Sequence, residues 1–200
     1  MNGLTKQTLD VRTLGGIFGR AQIPTGAGVA VVASGAEASV WNDQIGASTT
    51  SNLTQTTADS NLFGGRIPNG EVYTLFGWQV QIFEVTSADL PVDSTALIHE
   101  SMLDGLSMTL HMKGQEYVVG SVIPSPSGLG SDTLAMNGGR AVAPFRFPAQ
   151  LPIQLVSNDQ WFVTFTAKSA ITLTAADNKI EIFMYCPASR GIPITQLSGA

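Results

Sequence analysis

The chain has 200 residues, a formal net charge of −5 and only 12% charged residues. This length suffices for one domain with a sizeable core, and the composition is too apolar for a disordered chain. The charge is uneven, with +2 over residues 1–20, −9 over 21–135 and +2 over 136–200. No basic cluster is interleaved with aromatic residues, which argues against a general nucleic-acid binder. A surface so poor in Lys and Glu predicts that partners cover much of it.

The first 28 residues have no sustained hydrophobic period. They predict an extended N-terminal arm, 1–28, with little structure of its own, followed by a single domain over 29–200. Lys6, Arg12 and Arg20 give the arm its positive charge. We expect these three side chains to contact an inner layer beneath the domain.

Short strands and a polar loop follow the arm. Two strand candidates, GVAVVAS at 28–34 and EASVWND at 37–43, precede a run of small polar residues at 46–61. Such a run predicts a surface loop. It contains the sequon Asn52-Leu53-Thr54, which we attribute to chance because the N-terminus lacks the apolar core of a signal peptide.

The segment RIPNGEVYTLFGWQVQIFEV at 66–85 alternates and predicts a long central strand, or two strands in line. Gly77 lies midway and predicts a bend or a bulge. Strict alternation places one set of side chains on a single face: Val72, Thr74, Phe76, Trp78, Val80 and Ile82.

A short strand, STALIHES at 94–101, precedes the clearest hairpin in the chain, LSMTLHMKGQEYVVGSVIP at 106–124. Gly114 and Gln115 are predicted to form its turn. A Gly/Ser/Pro-rich loop at 124–139 comes next.

Two segments complete the chain. In APFRFPAQLPIQL at 143–155, three prolines predict an extended edge or corner, because each proline removes a ladder donor. The segment QWFVTFTAKSAITLTAADNKIEIFMYC at 160–186 predicts three strands. The whole pattern predicts an all-β chain: a single jelly-roll barrel or sandwich of about eight strands. Its predicted core comprises Trp78, Val80, Ile82, Leu106, Met108, Leu110, Trp161, Val163, Phe165, Ile180 and Ile182.

Few residues suggest catalytic chemistry. The only histidines, His99 and His111, lack the close ligand spacing of a zinc site. The single Cys186 lies in strand-like sequence and is predicted to be a buried small hydrophobe. We therefore expect no catalytic residue, no metal site, no cofactor, no small-molecule substrate and no enzyme activity.

The three tryptophans, Trp41, Trp78 and Trp161, lie in alternating apolar runs. This placement favours core packing over a platform for stacking sugars.

Two blocks of sequence resemble a known group of proteins. GGRIPNGEVYTLFGWQVQIFEV at 64–85 and LPIQLVSNDQWFVTFTAKSAITLTAADNKIEIFMYCPASRGIPI at 151–194 are similar to the small β-barrel capsid proteins of tailless icosahedral bacteriophages, many of which contain an internal membrane. The resemblance implies a jelly-roll fold, self-assembly into a shell and no enzyme activity. It transfers no site residues, because these proteins have no catalytic motif.

The leading hypothesis is therefore a structural virion protein, a self-assembling coat subunit of an icosahedral bacteriophage. Its expected partners are copies of itself and other capsid proteins, with internal membrane lipid or packaged genome beneath the arm. It would be made in the host cytoplasm and end in the virion. Two alternatives stay open: a carbohydrate- or receptor-binding β-sandwich module of a viral spike or fibre, and an enzyme of the cupin or glycosidase kind, which bound metal on His99 and His111 would support.

Overall fold

The chain is all-β, as predicted. The computed structural model describes residues 10–90, 92, 105–121, 145–146 and 152–192, and no helix within these ranges is long and apolar enough to cross a membrane. All strand pairs are antiparallel. The strands are β1 (Asp10–Pro24), β2 (Val31–Val32), β3 (Glu37–Val40), β4 (Val72–Leu75), β5 (Gly77–Val85), β6 (Leu106–Met112), β7 (Gln115–Ser121), β8 (Phe145–Arg146), β9 (Ile153–Val156), β10 (Trp161–Ala167), β11 (Ile171–Thr172) and β12 (Lys179–Ile192).

The first sheet is built around the long strand β12. One edge of β12 pairs with β1, from Asp10 opposite Ile192 to Pro24 opposite Lys179. Its other edge pairs with β5 and then with β4, so these two strands continue one another. The short strands β8 and β9 lie outside β5 and β4. This confirms the edge position predicted for the proline-rich segment at its described residues, 145–146 and 152–155.

A one-residue bulge at Phe76 separates β4 from β5. Leu75 pairs with Ala188 while Gln79 pairs with Tyr185, so this stretch has one residue more than the stretch of β12 that it faces. The bulge lies next to Gly77, where the sequence predicted one.

The bulge reverses which side chains point into the core. Tyr73 and Leu75 are buried before it, and Val80 is buried after it, whereas Phe76 is 40% exposed. The prediction that Thr74 and Phe76 share the inner face of Val80 is therefore wrong. An extra residue moves every side chain beyond it to the opposite face.

The second sheet has the order β3-β10-β6-β7. Its β6–β7 hairpin turns at Lys113 and Gly114, whose φ angles of 53° and 77° suit a tight hairpin turn. Met112 pairs with Gln115, so the turn lies one residue earlier than predicted. Strands β2 and β11 form a separate two-stranded ribbon. Within the described ranges, none of these sheets closes into a barrel.

The side chains between the sheets form one hydrophobic cluster. Every residue of the predicted core is buried in it except Trp78, which is partly buried and packs against it. The period-2 alternation of β5, β6, β10 and β12 was therefore sufficient to find this part of the core.

Strand β1 corrects the predicted arm. Residues 10–24, which we expected to have little structure of their own, pair with β12, and Ile17, Ala21 and Ile23 are buried in the core. Residues 1–9 lie outside the described part of the chain, so their role as an arm stays a prediction.

Glycines allow β1 to lie where it does. A Cβ at Gly19 would come within 2.5 Å of Trp41 Nε1 and Val40 Cγ1, and a Cβ at Gly16 would lie 1.9 Å from the ring of Tyr185. Both positions need a residue without a side chain. The same glycines made this stretch look irregular in the sequence.

Candidate interaction surface

Arg20, one of the three predicted contact residues, is held by intramolecular ion pairs. Its Nη1 lies 3.0 Å from Asp59 Oδ1 and its Nη2 lies 2.6 Å from Glu181 Oε2. Gln22 Nε2 also donates to Glu181 Oε2, at 3.0 Å. The Arg20 side chain is 30% exposed. Both of its anionic partners come from this chain, so its charge is already balanced.

Of the other two predicted contact residues, only Arg12 lies within the described part of the chain. Arg12 lies in β1 where the register with β12 shifts, between Val11 and Thr13. Lys6 lies outside the described residues. A role for Lys6 and Arg12 in contacting an inner layer stays a prediction.

The polar run predicted as a surface loop has a structural role. We call residues 49–61 the edge strap, because they lie along the edge of β1 that faces away from β12. The Gln22 N–H donates to Ser51 O at 2.7 Å, and the Asn61 N–H donates to Phe18 O at 3.2 Å. The strap also reaches the second sheet, where the Ser39 N–H donates to Thr50 O at 2.8 Å.

Side-chain amides of the strap complete this contact. Asn61 Oδ1 accepts from the Phe18 N–H at 2.8 Å, and Asn61 Nδ2 donates to Gly16 O at 2.7 Å. Asn52 Nδ2 donates to the carbonyls of Gln22 and Glu37 at 2.9 and 3.1 Å. The amide of the sequon is therefore bonded within the chain.

Asp43 anchors the start of the strap. Its carboxylate accepts hydrogen bonds from the backbone N–H groups of Thr50 and Ser51 and from the hydroxyls of Thr49, Thr50 and Ser51. Burial alone raises the pKa of this carboxyl, but the hydrogen bonds outweigh burial and lower the pKa to about 2.

A second buried carboxylate, Glu84, fixes the loop between β11 and β12. Its Oε1 accepts from the Thr174 N–H at 2.7 Å, from the Thr174 hydroxyl and from Asn178 Nδ2 at 2.6 Å. The sequence did not single it out, because its partners follow it by about ninety positions. The hydrogen-bond partners of the Glu84 carboxylate are neutral groups of Thr174 and Asn178, so Glu84 anchors this loop.

The histidine and the cysteine whose positions are described make packing contacts. The His111 ring stacks on Phe162 with centroids 4.1 Å apart, and its Nε2 lies 3.0 Å from Thr164 Oγ1. His99 lies outside the described residues. Cys186 is buried, as predicted, and burial raises the pKa of its thiol. Among the residues with described positions, no group of three or more His, Cys, Asp or Glu could hold a metal ion.

Two of the three tryptophans confirm the prediction of core packing. Trp41 and Trp161 are buried, and their rings lie against each other with centroids 6.1 Å apart. Trp78 is partly buried against the same cluster. These indoles therefore do not form an exposed stacking platform.

Three of the exposed apolar side chains lie on strands β7 and β9, at sheet edges that the strap does not bond. Tyr117 is 48% exposed and Val118 is 76% exposed, on the outermost strand of the second sheet. Val156 is 44% exposed on β9, at the edge of the first sheet. We call Tyr117, Val118 and Val156 the open-edge residues.

Comparisons with protein-family models, curated proteins and solved structures found no match for this chain.

Proposed function

We propose that the chain is a structural virion protein, a coat subunit that assembles with copies of itself and with other capsid proteins. Its fold would be a single jelly roll, its role would be non-enzymatic and its location would be the virion. The observation that carries this proposal is the order in which the strands pair.

The pairing order is nested. When β4 with β5 counts as one strand and β8 with β9 as another, eight strands remain outside the small β2–β11 ribbon. The first pairs with the eighth, the second with the seventh, the third with the sixth and the fourth with the fifth. The two sheets then have the orders 1-8-3-6 and 2-7-4-5. A ribbon of nested antiparallel pairs, folded into two facing four-stranded sheets, is the arrangement of a jelly roll.

The open-edge residues supply the second support. Interfaces between subunits bury apolar and aromatic side chains that a monomer would leave in contact with water. Tyr117 and Val118 are neighbours on one strand, so their side chains point to opposite faces of the sheet. A neighbouring subunit packed against β7 would cover both. A closed shell repeats one such contact around its symmetry axes.

The inner-layer contact is proposed in a narrower form than the sequence predicted. Arg20 is bonded to Asp59 and Glu181, so the proposal assigns the contact with lipid headgroups or packaged nucleic acid to Lys6 and Arg12. Residues 1–9 are the part of the predicted arm that this proposal retains.

Electron microscopy of the purified chain at increasing concentration tests the proposal. We expect closed particles of uniform size, with sedimentation shifting from small species to large ones as concentration rises. A chain that stays monomeric at high concentration contradicts the coat function. If that monomer also binds glycans on an array, the function is that of a carbohydrate-binding module of a spike or fibre.

A further inference from the structure

The edge of β1 covered by the strap is a template for another strand. Every second residue of β1 directs its N–H and C=O away from β12, and these groups bond any extended segment of suitable register. At Gly16, Phe18, Arg20 and Gln22, such groups accept from or donate to the strap. The edge is therefore intrinsically able to pair, and it is occupied.

The strap occupies this edge without being a regular strand. Only a single bridge, Gly19 opposite Ser60, has strand geometry. Several of the other bonds come from the side-chain amides of Asn52, Gln55 and Asn61. An amide side chain carries a donor and an acceptor, as a peptide group does. It can therefore bond the backbone groups at the edge of β1 without creating a new sheet edge beyond them. The sheet therefore ends at the strap.

Both ends of the strap are tied down by charged groups. Asp43 holds residues 49–51 through its carboxylate, and Asp59 binds Arg20 on β1 at 3.0 Å. Thr56 donates through its backbone N–H to Asp59 at 3.1 Å, which closes the turn before the bridge. The strap is therefore fixed to the domain near both of its ends.

We propose that the edge strap is an intramolecular guard, which prevents the β1 edge from pairing with the β1 edge of a second copy of this chain. The partner is a second copy because antiparallel pairing of two identical edges is self-complementary and satisfies both at once. Releasing the strap would join two first sheets into one continuous sheet. A guard of this kind benefits a coat subunit and a monomeric binding module equally.

The test removes two of the three strap amides, those of Asn52 and Asn61, while leaving Gln55, the core and Asp43 unchanged. Asn52 has a φ of 54°, so Asn52→Gly deletes its side chain without backbone strain, and Asn61→Ala deletes the other amide. The matched control is Asn158→Gly with Asn69→Ala, neither of which lies on β7 or β9. Asn158 has a similar φ of 67°, and both control side chains are exposed and lie away from the strap.

Hydrogen exchange at Phe18 reports on the edge directly, because its N–H bonds Asn61 Oδ1. In dilute double variant we expect exchange of this N–H to rise at least about tenfold over the parent and the control, as for an amide released to water. As concentration rises, sedimentation should show a dimer, and the same N–H should become protected again. General stickiness would give association without that renewed protection.

Two results would overturn the guard. One is an unchanged exchange rate at Phe18 in the dilute variant. The other is an exposed N–H in a chain whose association matches that of the control at every concentration. If the double variant does not fold, Asn61→Ala alone is subjected to the same two measurements, and the same outcomes decide. Shell formation by the parent is a separate readout, so failure of the coat proposal leaves this result intact.

Discussion

The two sides of this molecule treat their sheet edges in opposite ways. On one side, the edge strap bonds the outer edges of β1 and β3 with Thr, Ser, Asn and Gln residues. On the other side, the described residues place no further strand beside β7 or β9, and the open-edge residues are exposed there. A sheet edge is either covered by its own chain or left for a partner. Under the coat proposal, the β7 and β9 side is the one that would contact a neighbour.

The largest expected effect comes from removing the strand that the strap covers. Deleting residues 2–20 should abolish folding, because it removes Ile17 from the core and leaves one edge of β12 without a partner from Phe183 to Ile192. Deleting residues 2–9 should leave a folded, β-rich chain. Circular dichroism and thermal melting distinguish the two. A cooperative melt in the longer deletion would show that β1 is dispensable and that the strap side is not structurally required.

A change in the core should weaken both sides together. Phe165 is fully buried between the sheets, and Phe165→Ala should reduce the free energy of unfolding by about 3–5 kcal/mol. Denaturant unfolding gives the value. A loss below about 1 kcal/mol would contradict the burial of this ring, because surface substitutions have effects of that size.

Acid should loosen the strap side selectively. The Asp43 carboxyl has a pKa of about 2 in the folded chain against an ordinary value of 3.8. Its contribution is therefore fully present above about pH 4 and is lost as pH falls towards 2, and its size is about 2 kcal/mol.

The check for this acid effect is the substitution Asp43→Asn. It should destabilise the chain at pH 7, and its deficit relative to the parent should shrink between pH 4 and pH 2. A deficit that is independent of pH over this range would mean that ionisation of Asp43 does not hold the strap.

The smallest effect on stability belongs to the open side. Val118→Lys should change the free energy of unfolding by less than about 0.5 kcal/mol, because the side chain is mostly in water. The same substitution should reduce assembly at a given concentration, measured by sedimentation. Ser34→Lys, at an exposed position in the turn after β2, is the control. If both variants assemble equally, β7 does not take part in the subunit contact.

The sequence predicted the parts of the fold that depend on local alternation. The side chains of β6 and β10 alternate strictly, and their inward residues, such as Met108 and Phe165, are buried as expected. Alternation failed at Phe76, where one inserted residue changed the face. A bulge of this kind depends on the register with β12, which lies about a hundred positions away in the sequence.

The candidate site was harder to predict, because its contacts are non-local. Arg20 was an isolated basic residue in the sequence, but its partners are 39 and 161 positions distant. The strap appeared to be an ordinary polar loop. Its amides gain their role only when β1 lies beside them. Strand β1 was itself not recognised, because the glycines that its close packing requires, Gly16 and Gly19, interrupt the strand pattern in the sequence. The one local signal of the Asp43 anchor was the run of Ser and Thr residues at 48–51, a few positions after Asp43.

The pairing of β1 with β12 also sets the order in which this chain can fold. Asp10 lies opposite Ile192, so β1 leaves the ribosome long before its partner strand does. Local pairs such as the β6–β7 hairpin can close during synthesis, whereas this one must wait and bears the largest loop-closure entropy. Until β12 is made, β1 is fully synthesised but has no partner strand. This is the stage at which exposed strand edges are most prone to aggregation. The edge strap is made soon after β1, long before β12.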